Sequence, residues 1–267
     1  MNLITLSALT LRDIRAIWNL VKTPLQVAEA TVAWSFEGNG IRTRTTFIKA
    51  FSNLGMTAIE LPSLLKSSER ICDLAGYLDP FYDMYVIRES NHERLAEFAA
   101  ASRRPVINAM SKAGHPCEVL TDAYYVEETL VPIEKLKIGL WGPPGNVFRS
   151  WHELAKVMGF TIVHICHERF HEHVSNVSFT ADVPENLDVL ITDGWPEGTA
   201  EFNSALTLEI LNALGKPILL PTPPFTIGEE LAFDPRSYSR FAGYEQKALL
   251  LPVQTAVLRY CMQDAAV

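Results

Sequence analysis

Residues 36 to 47 read Phe-Glu-Gly-Asn-Gly-Ile-Arg-Thr-Arg-Thr-Thr-Phe and crowd two arginines and three hydroxyls behind Gly38 and Gly40. The stretch lies between an apolar run at 30–36 and a helical pattern at 45–55, so the spacing predicts strand, glycine turn and helix. A helix N-terminus presents backbone N–H groups and the positive end of the helix dipole, which favours an anion. Arg42 can add a bidentate, charge-assisted contact to a phosphate, and Thr43 a hydroxyl. The plain alternative is a capped helix start with solvated arginines. Two further residues weigh against it. Arg88 closes the apolar run of VIRESNH, and His115 follows another in INAMSKAGHPCE. In open parallel sheets, ligands collect beyond the carboxyl ends of the strands. Two cations and a neutral donor at three such ends suit a phosphate or a developing oxyanion. Taken singly, each is a surface ion pair or a satisfied buried histidine.

The elements that must position them alternate. Helical spacing is predicted at 9–23, 45–55, 67–78, 92–102 and 115–130, with strands at 30–36, 57–62, 83–89 and 104–110. The pattern restarts with a strand at 136–142, a Gly-Pro turn and a helix at 147–159. Three more strands are expected at 161–166, 188–194 and 216–221, and a last helix at 252–264. Alternating strand and helix argues for an α/β protein with parallel sheets. The boundary is placed at Pro132, giving domains 1–132 and 133–267 that face each other across a cleft, with the last helix packing back on the first.

The 267 residues are 48% hydrophobic and 20% charged, ample for buried cores, and their net charge is −8. That balance argues against a broad nucleic-acid surface, so an anion site has to be local. No apolar run reaches the roughly 20 residues of a membrane helix. The N-terminus meets Arg12, Asp13 and Arg15 too early for a signal peptide. Four separated cysteines suggest reduced thiols and a cytoplasmic protein.

One motif competes. His167-Glu168-Arg169-Phe170-His171 fits His-Glu-x-x-His, with His164 and His173 nearby. On a helix the two outer histidines would share a face and bind zinc, with Glu168 as base. A strand directly before it is the wrong context, and no metal is expected. The turn Gly142-Pro143-Pro144-Gly145 lacks G-x-G-x-x-G, and its prolines remove donors, so no dinucleotide cofactor is expected either. Cys117 reads as a small packed residue, and Asp122, Glu127 and Glu128 as a helix surface.

At this point the chain resembles the aspartate/ornithine carbamoyltransferase family, closer to its ornithine branch. That family opens a helix with Ser-Thr-Arg-Thr-Arg, places an arginine after a later strand, and opens a long helix with His-Pro-Cys-Gln. The runs here are GIRTRTTF, VIRESNH and INAMSKAGHPCEVLTD. In the second half WGPPGNVFRSWHELAKVMG resembles the family's glycine turn and Asn-Val-x-x-Ser helix. DVLITDGW and LLPTPPFTIGEEL resemble its Asp-Val-x-x-Thr-Asp-x-Trp run and His-Cys-Leu-Pro loop. The resemblance implies carbamoyl transfer from carbamoyl phosphate to the amine of a small amino acid. It implies that Gly40, Ile41, Arg42, Thr43 and Lys66 hold phosphate, and that Thr43, Arg88 and His115 polarise the carbonyl, with Glu118 beside them. Asn146, Asp193, Thr222, Pro223 and Pro224 would serve the acceptor. The family is typically a homotrimer with shared sites, and Lys66, Ser67 and Ser68 would be the loop a neighbour lends.

The chain departs from that pattern at Gly40-Ile41, which stand for Ser-Thr, and at Glu118, which stands for glutamine. A second negative charge about 4 Å from an anionic donor costs roughly 4 kcal/mol at an effective dielectric near 20. A cationic, amidino-like donor would suit Glu118 better. Pro221-Thr222 replace His-Cys, and Trp195-Pro196-Glu197-Gly198 replace the ornithine branch's Ser-Met-Gly. An arginine expected before the last helix has Lys247 as its closest basic counterpart.

Overall fold

The computed structural model describes residues 1–202 and 204–263. It divides into two compact units, Met1–Thr121 with the segment from Leu249 onward, and Asp122–Ala248.

In the first unit, α1 (Leu11–Val21) starts where Thr10 and Asp13 cap each other: Thr10 N–H donates to Asp13 Oδ2 at 2.7 Å and Asp13 N–H returns to Thr10 Oγ1 at 3.3 Å. Its apolar face buries Ile14, Ile17 and Trp18. Four strands follow, β1 (Thr31–Phe36), β2 (Thr57–Glu60), β3 (Met84–Arg88) and β4 (Val106–Met110), parallel and in the order β2-β1-β3-β4. Near-continuous apolar runs form β1, β3 and β4, as burial on both faces requires. The edge strand β2 differs, since all four of its residues are exposed. Chain order reverses between β1 and β3. The helix α2 (Ile41–Asn53) leads from β1 to one side, and α3 (Ile71–Leu78) leads from β2 across to the other. The loops after β1 and β3 therefore diverge and leave a crevice.

The helix α2 begins four residues before the predicted Thr45. Gly40 adopts a left-handed φ of 38°, which lets the chain enter the helix directly from the turn. Arg42 and Thr43 thus belong to the first helical turn. The helices α4 (His92–Ala101) and α5 (Pro116–Thr129) complete the alternation. The final helix, α9 (Leu250–Gln263), packs on α1 and α2; Arg259 Nη1 donates to Leu20 O and Thr23 Oγ1, both at 3.0 Å.

The second unit holds β5 (Ile138–Trp141), α6 (Asn146–Met158), β6 (Ile162–Ile165), β7 (Val177–Thr180), β8 (Val189–Thr192), α7 (Leu208–Ala213), β9 (Ile218–Pro221) and α8 (Gly243–Ala248). Its five strands are parallel, in the order β7-β6-β5-β8-β9, and chain order reverses between β5 and β8. Gly139 allows that close pairing to pack, because a Cβ there would stand 2.4 Å from Leu187 Cδ1. The strand β7 escaped the sequence reading: Val-Ser-Phe-Thr is too short and too polar to stand out from a loop. The six-residue helices α7 and α8 were missed for the same reason.

The unit division falls within α5, earlier than residue 132, because that helix runs unbroken from Pro116 past it. Asp122 corrects an expectation. It is not on a helix surface but 3% exposed, accepting a hydrogen bond from Gln246 Nε2. Burial of a carboxylate requires such a partner. Among the described residues, no helix is long and apolar enough to cross a membrane.

Candidate functional site

The crevice of the first sheet gathers the charged residues of its loops. Gly40 ends the turn after β1, and Arg88 ends β3. A Cβ at Gly40 would lie 3.1 Å from Arg88 Nη1, so the guanidinium rests against bare backbone. Arg88 is half-buried, and both burial and the neighbouring Arg42 charge push its pKa below the usual arginine value. Two guanidiniums in mutual repulsion at a helix N-terminus mark a place that favours an anion. Thr43 is 4% exposed beneath them. Gly40 offers no side chain to cap α2, so the first N–H groups of the helix receive no hydrogen bond from the N-cap side chain.

A second layer fixes these loops. Glu37 N–H donates to Arg88 O at 2.9 Å, and the Glu37 carboxylate accepts from Ser90 N–H at 2.6 Å, tying the loop after β1 to the loop after β3. Those bonds from Ser90 hold the Glu37 carboxyl at about 2. Lys66, from the loop after β2, pairs with Glu37 Oε1 at 3.1 Å and with the buried Glu89 at 2.6 Å. Glu89 also accepts from Asn91 N–H at 2.9 Å. Arg94 donates to the carbonyls of Leu65 and Ser67 and anchors the same segment. Lys66 is thus engaged by carboxylates of its own unit. Sequence reading missed Glu37 and Glu89, although both follow a strand and flank the arginines' positions. His115, 7% exposed, precedes α5 beyond the carboxyl end of β4, which lies beside β3. Glu118, 3% exposed, stands in the first turn of α5, where the helix dipole favours a carboxylate.

In the second unit the same logic assembles Asn146 and Asp193. Asn146 opens α6 after β5, and Asp193 follows β8. A Cβ at Gly145 would lie 3.1 Å from Asp193 Oδ2, and one at Gly142 would lie 3.2 Å from Trp195 Nε1. Gly142, at φ 120°, and Gly145 therefore let the carboxylate and the indole close on the β5–α6 turn. Thr222 N–H donates to Thr192 O at 2.8 Å, which sets the Pro223-Pro224 loop beside it. The Pro224 carbonyl lies 3.7 Å from where a Gly194 Cβ would be. Lys247 lies in α8.

The zinc pattern does not form a metal site. Glu168–Phe170 make a single 3-10 turn, so His167 and His171 do not share an α-helical face. His167 Nδ1 accepts from Arg169 N–H at 3.2 Å, and His171 Nε2 donates to Cys166 O at 3.2 Å. No group of three metal-ligating side chains occurs among the described residues. Cys117 is fully buried, as expected of a packed residue, and burial raises its thiol pKa.

The sequence profile of the aspartate/ornithine carbamoyltransferase family, carbamoyl-P binding domain, matches residues 2–128. Ornithine carbamoyltransferase of Nitrobacter winogradskyi is 35% identical over 139 residues, which is 51% of this chain and 45% of that one. The Geobacter sulfurreducens ornithine carbamoyltransferase is 27% identical over 261 residues, covering 87% of this chain and 86% of the other. The solved anabolic ornithine carbamoyltransferase of Campylobacter jejuni superposes with a TM-score of 0.89 at 25% identity, over 98% of this chain and 99% of that one. Over residues 2–128 the chain is similar to the aspartate/ornithine carbamoyltransferase family. It spans about half the length of the first curated relatives that it matches.

The Gly40 departure now has a physical account. A serine there would be held at positive φ and would press on the Arg88 guanidinium. The glycine and the position of Arg88 go together. If carbamoyl phosphate is the donor and Glu118 faces it as a carboxylate, Glu118→Gln is expected to tighten its binding by about tenfold or more, since even part of a ~4 kcal/mol repulsion suffices. Calorimetric titration of both proteins checks this, and an unchanged affinity would remove the charge conflict from the account.

Proposed function

We propose that the chain is a carbamoyltransferase, moving the carbamoyl group of carbamoyl phosphate onto the amine of a small, ornithine-like amino acid. The observation that carries this reading is the pair Arg42 and Arg88, brought together at Gly40 beyond β1 and β3. The amine lone pair attacks the carbonyl carbon. A tetrahedral intermediate forms, the bond to the phosphate oxygen breaks, and phosphate leaves. Such a reaction needs positioning and oxyanion stabilisation more than a strong base. Arg42 and the first-turn N–H groups from Ile41 to Thr43 would take the phosphate. Thr43, Arg88 and His115 would polarise the carbonyl. Asn146, Asp193, Thr222 and the carbonyls of Pro223 and Pro224 would serve the acceptor in the second unit. Lys66, held by Glu37 and Glu89, is assigned to fixing the loops of its own unit.

We further propose a homotrimer formed through the β2 edge. A parallel sheet seldom leaves an edge strand bare, and here β2 is exposed throughout, with Ile59 on it and Ile48 exposed on α2. Sedimentation showing only a monomer would end that proposal. Four free cysteines suit a reducing compartment such as the cytoplasm.

The test is calorimetric titration with carbamoyl phosphate, with inorganic phosphate as control. Micromolar binding that Arg42→Ala abolishes, followed by phosphate release on adding an amino-acid acceptor, is the expected result. Absence of binding would overturn the reading. Binding without turnover for any amine would favour a silent relative, which the missing hydroxyls at Gly40-Ile41 and the buried Glu118 would explain.

A further inference from the structure

A cavity of about 170 Å³ lies beyond the carboxyl ends of β5 and β6, lined by Trp141, Gly142, Ile165, Cys166, His167, Ala181, Phe202 and Ser204. Each wall is fastened separately. Trp141 Nε1 donates to Ser204 O at 3.0 Å, which holds the far wall to the end of β5. The Phe202 ring lies under the Arg169 guanidinium, 3.7 Å from its centroid, and against the His167 ring at 5.6 Å. Gly142 N–H donates to Ile165 O at 3.0 Å, and Gly142 O accepts from His164 Nε2 at 2.8 Å. Cys166 O accepts from His171. A space whose walls are each anchored is preformed, as ligand pockets are. Among the described residues no carboxylate or ammonium lines it; His167 and Ser204 are its polar side chains beside the apolar Trp141, Ile165 and Phe202. The Cys166 thiol is pushed up to about 12 by burial and so stays neutral. With most of its wall apolar, such a pocket favours an uncharged, apolar group over a charged one.

Its place decides what that group belongs to. Gly142 is shared: Trp195 closes on the same turn that Asp193 reaches at Gly145, and the cavity opens beside it. Building on the carbamoyltransferase reading, we propose that this cavity is the specificity pocket for the acceptor, and that the acceptor carries a compact apolar substituent, aliphatic or aromatic. Phe202, Trp141 and Cys166 contact that substituent, while its amine remains for transfer.

Phosphate release is measured at saturating carbamoyl phosphate with L-alanine, L-ornithine, L-leucine and L-phenylalanine as acceptors. Leucine or phenylalanine is expected to exceed alanine and ornithine by about tenfold or more in kcat/KM, the discrimination an apolar pocket supplies. Ala181→Phe, at an exposed position that tolerates a larger side chain, is expected to fill the cavity. It should erase that ratio and leave the KM for carbamoyl phosphate unchanged. Phe202→Ala should lower the ratio by enlarging the pocket. Turnover that is equal across the four acceptors, or a preference that Ala181→Phe does not touch, overturns the pocket assignment while the transferase reading stands. Should no acceptor release phosphate, calorimetry with leucine, phenylalanine and alanine decides instead, and equal binding by all three overturns it. Failure to bind carbamoyl phosphate strikes the transferase reading alone.

Discussion

Replacing Arg88 with alanine is expected to lower the rate of phosphate release by about 10²–10³-fold, the loss that follows removal of one preorganised oxyanion donor. Arg88 ends β3 with its guanidinium laid against Gly40, half-buried and facing the Arg42 charge. Both features raise its value for the reaction. Partial burial lowers the local dielectric and strengthens its pull on a developing oxyanion. The repulsion from Arg42 is relieved only when negative charge lies between them. The effect should fall mainly on kcat, because Arg42 and the α2 N-terminus still offer the phosphate a place. Arg88→Lys should recover little, since a point charge cannot reproduce a planar fork. The fold should survive, because the backbone bond from Glu37 N–H to Arg88 O does not involve the side chain. Steady-state phosphate release with a thermal melt of each variant separates the two contributions. Wild-type kcat in Arg88→Ala would remove Arg88 from the carbonyl and take the oxyanion site with it.

What the sequence disclosed divides along a physical line. Apolar runs and period-3.6 patterns exposed both parallel sheets, because strands buried on two faces must be apolar in runs. They failed at β7, whose Val-Ser-Phe-Thr is half-exposed, and at α7 and α8, too short for a period to show. Arg42 and Arg88 were legible as chemistry because each follows a strand. The consequence of Gly40 was not legible. Only coordinates show that its missing Cβ is the space that Arg88 occupies. The partners of Lys66 were not legible either, since nothing local says that they are Glu37 and Glu89, which precede and follow it across the sheet. The His-Glu-x-x-His pattern shows the reverse error. A spacing that is chemical on an α-helix means nothing on a single 3-10 turn.

Below about pH 6.5 the second unit is expected to lose stability steeply, and a buried histidine pair accounts for it. His164 Nε2 lies 2.8 Å from Gly142 O, which can only accept, so that nitrogen carries the proton. Neutral His164 then offers Nδ1 to His152 Nε2, 2.9 Å away. Phe148 and Phe179 pack on the pair, with the His164 and Phe179 rings stacked at 4.9 Å. Burial first, then the neighbouring histidine and Arg149, lower His152 to about 3; burial first lowers His164 to about 4. Both folded pKa values lie below the unfolded value near 6.5, so acid favours the unfolded chain, which binds more protons. The stability is fully present above 6.5 and is lost as the pH falls toward 4. Unfolding can take up as many as two protons from the pair, so the loss steepens as the pH falls below 6.5. His164→Gln keeps a donor for Gly142 O and removes one of the two protons. The double variant His152→Leu, His164→Gln removes both. Each should be less stable than wild type near neutral pH, where the pair's bonds and packing are lost, and each should lose less on acidification. Urea unfolding followed by tryptophan fluorescence, near neutral pH and at about pH 5, measures the slopes. A double variant with the wild-type slope would place the acid sensitivity elsewhere. A shallow slope in the wild type would mean that the pair already carries a proton when folded, with His152 accepting from His164.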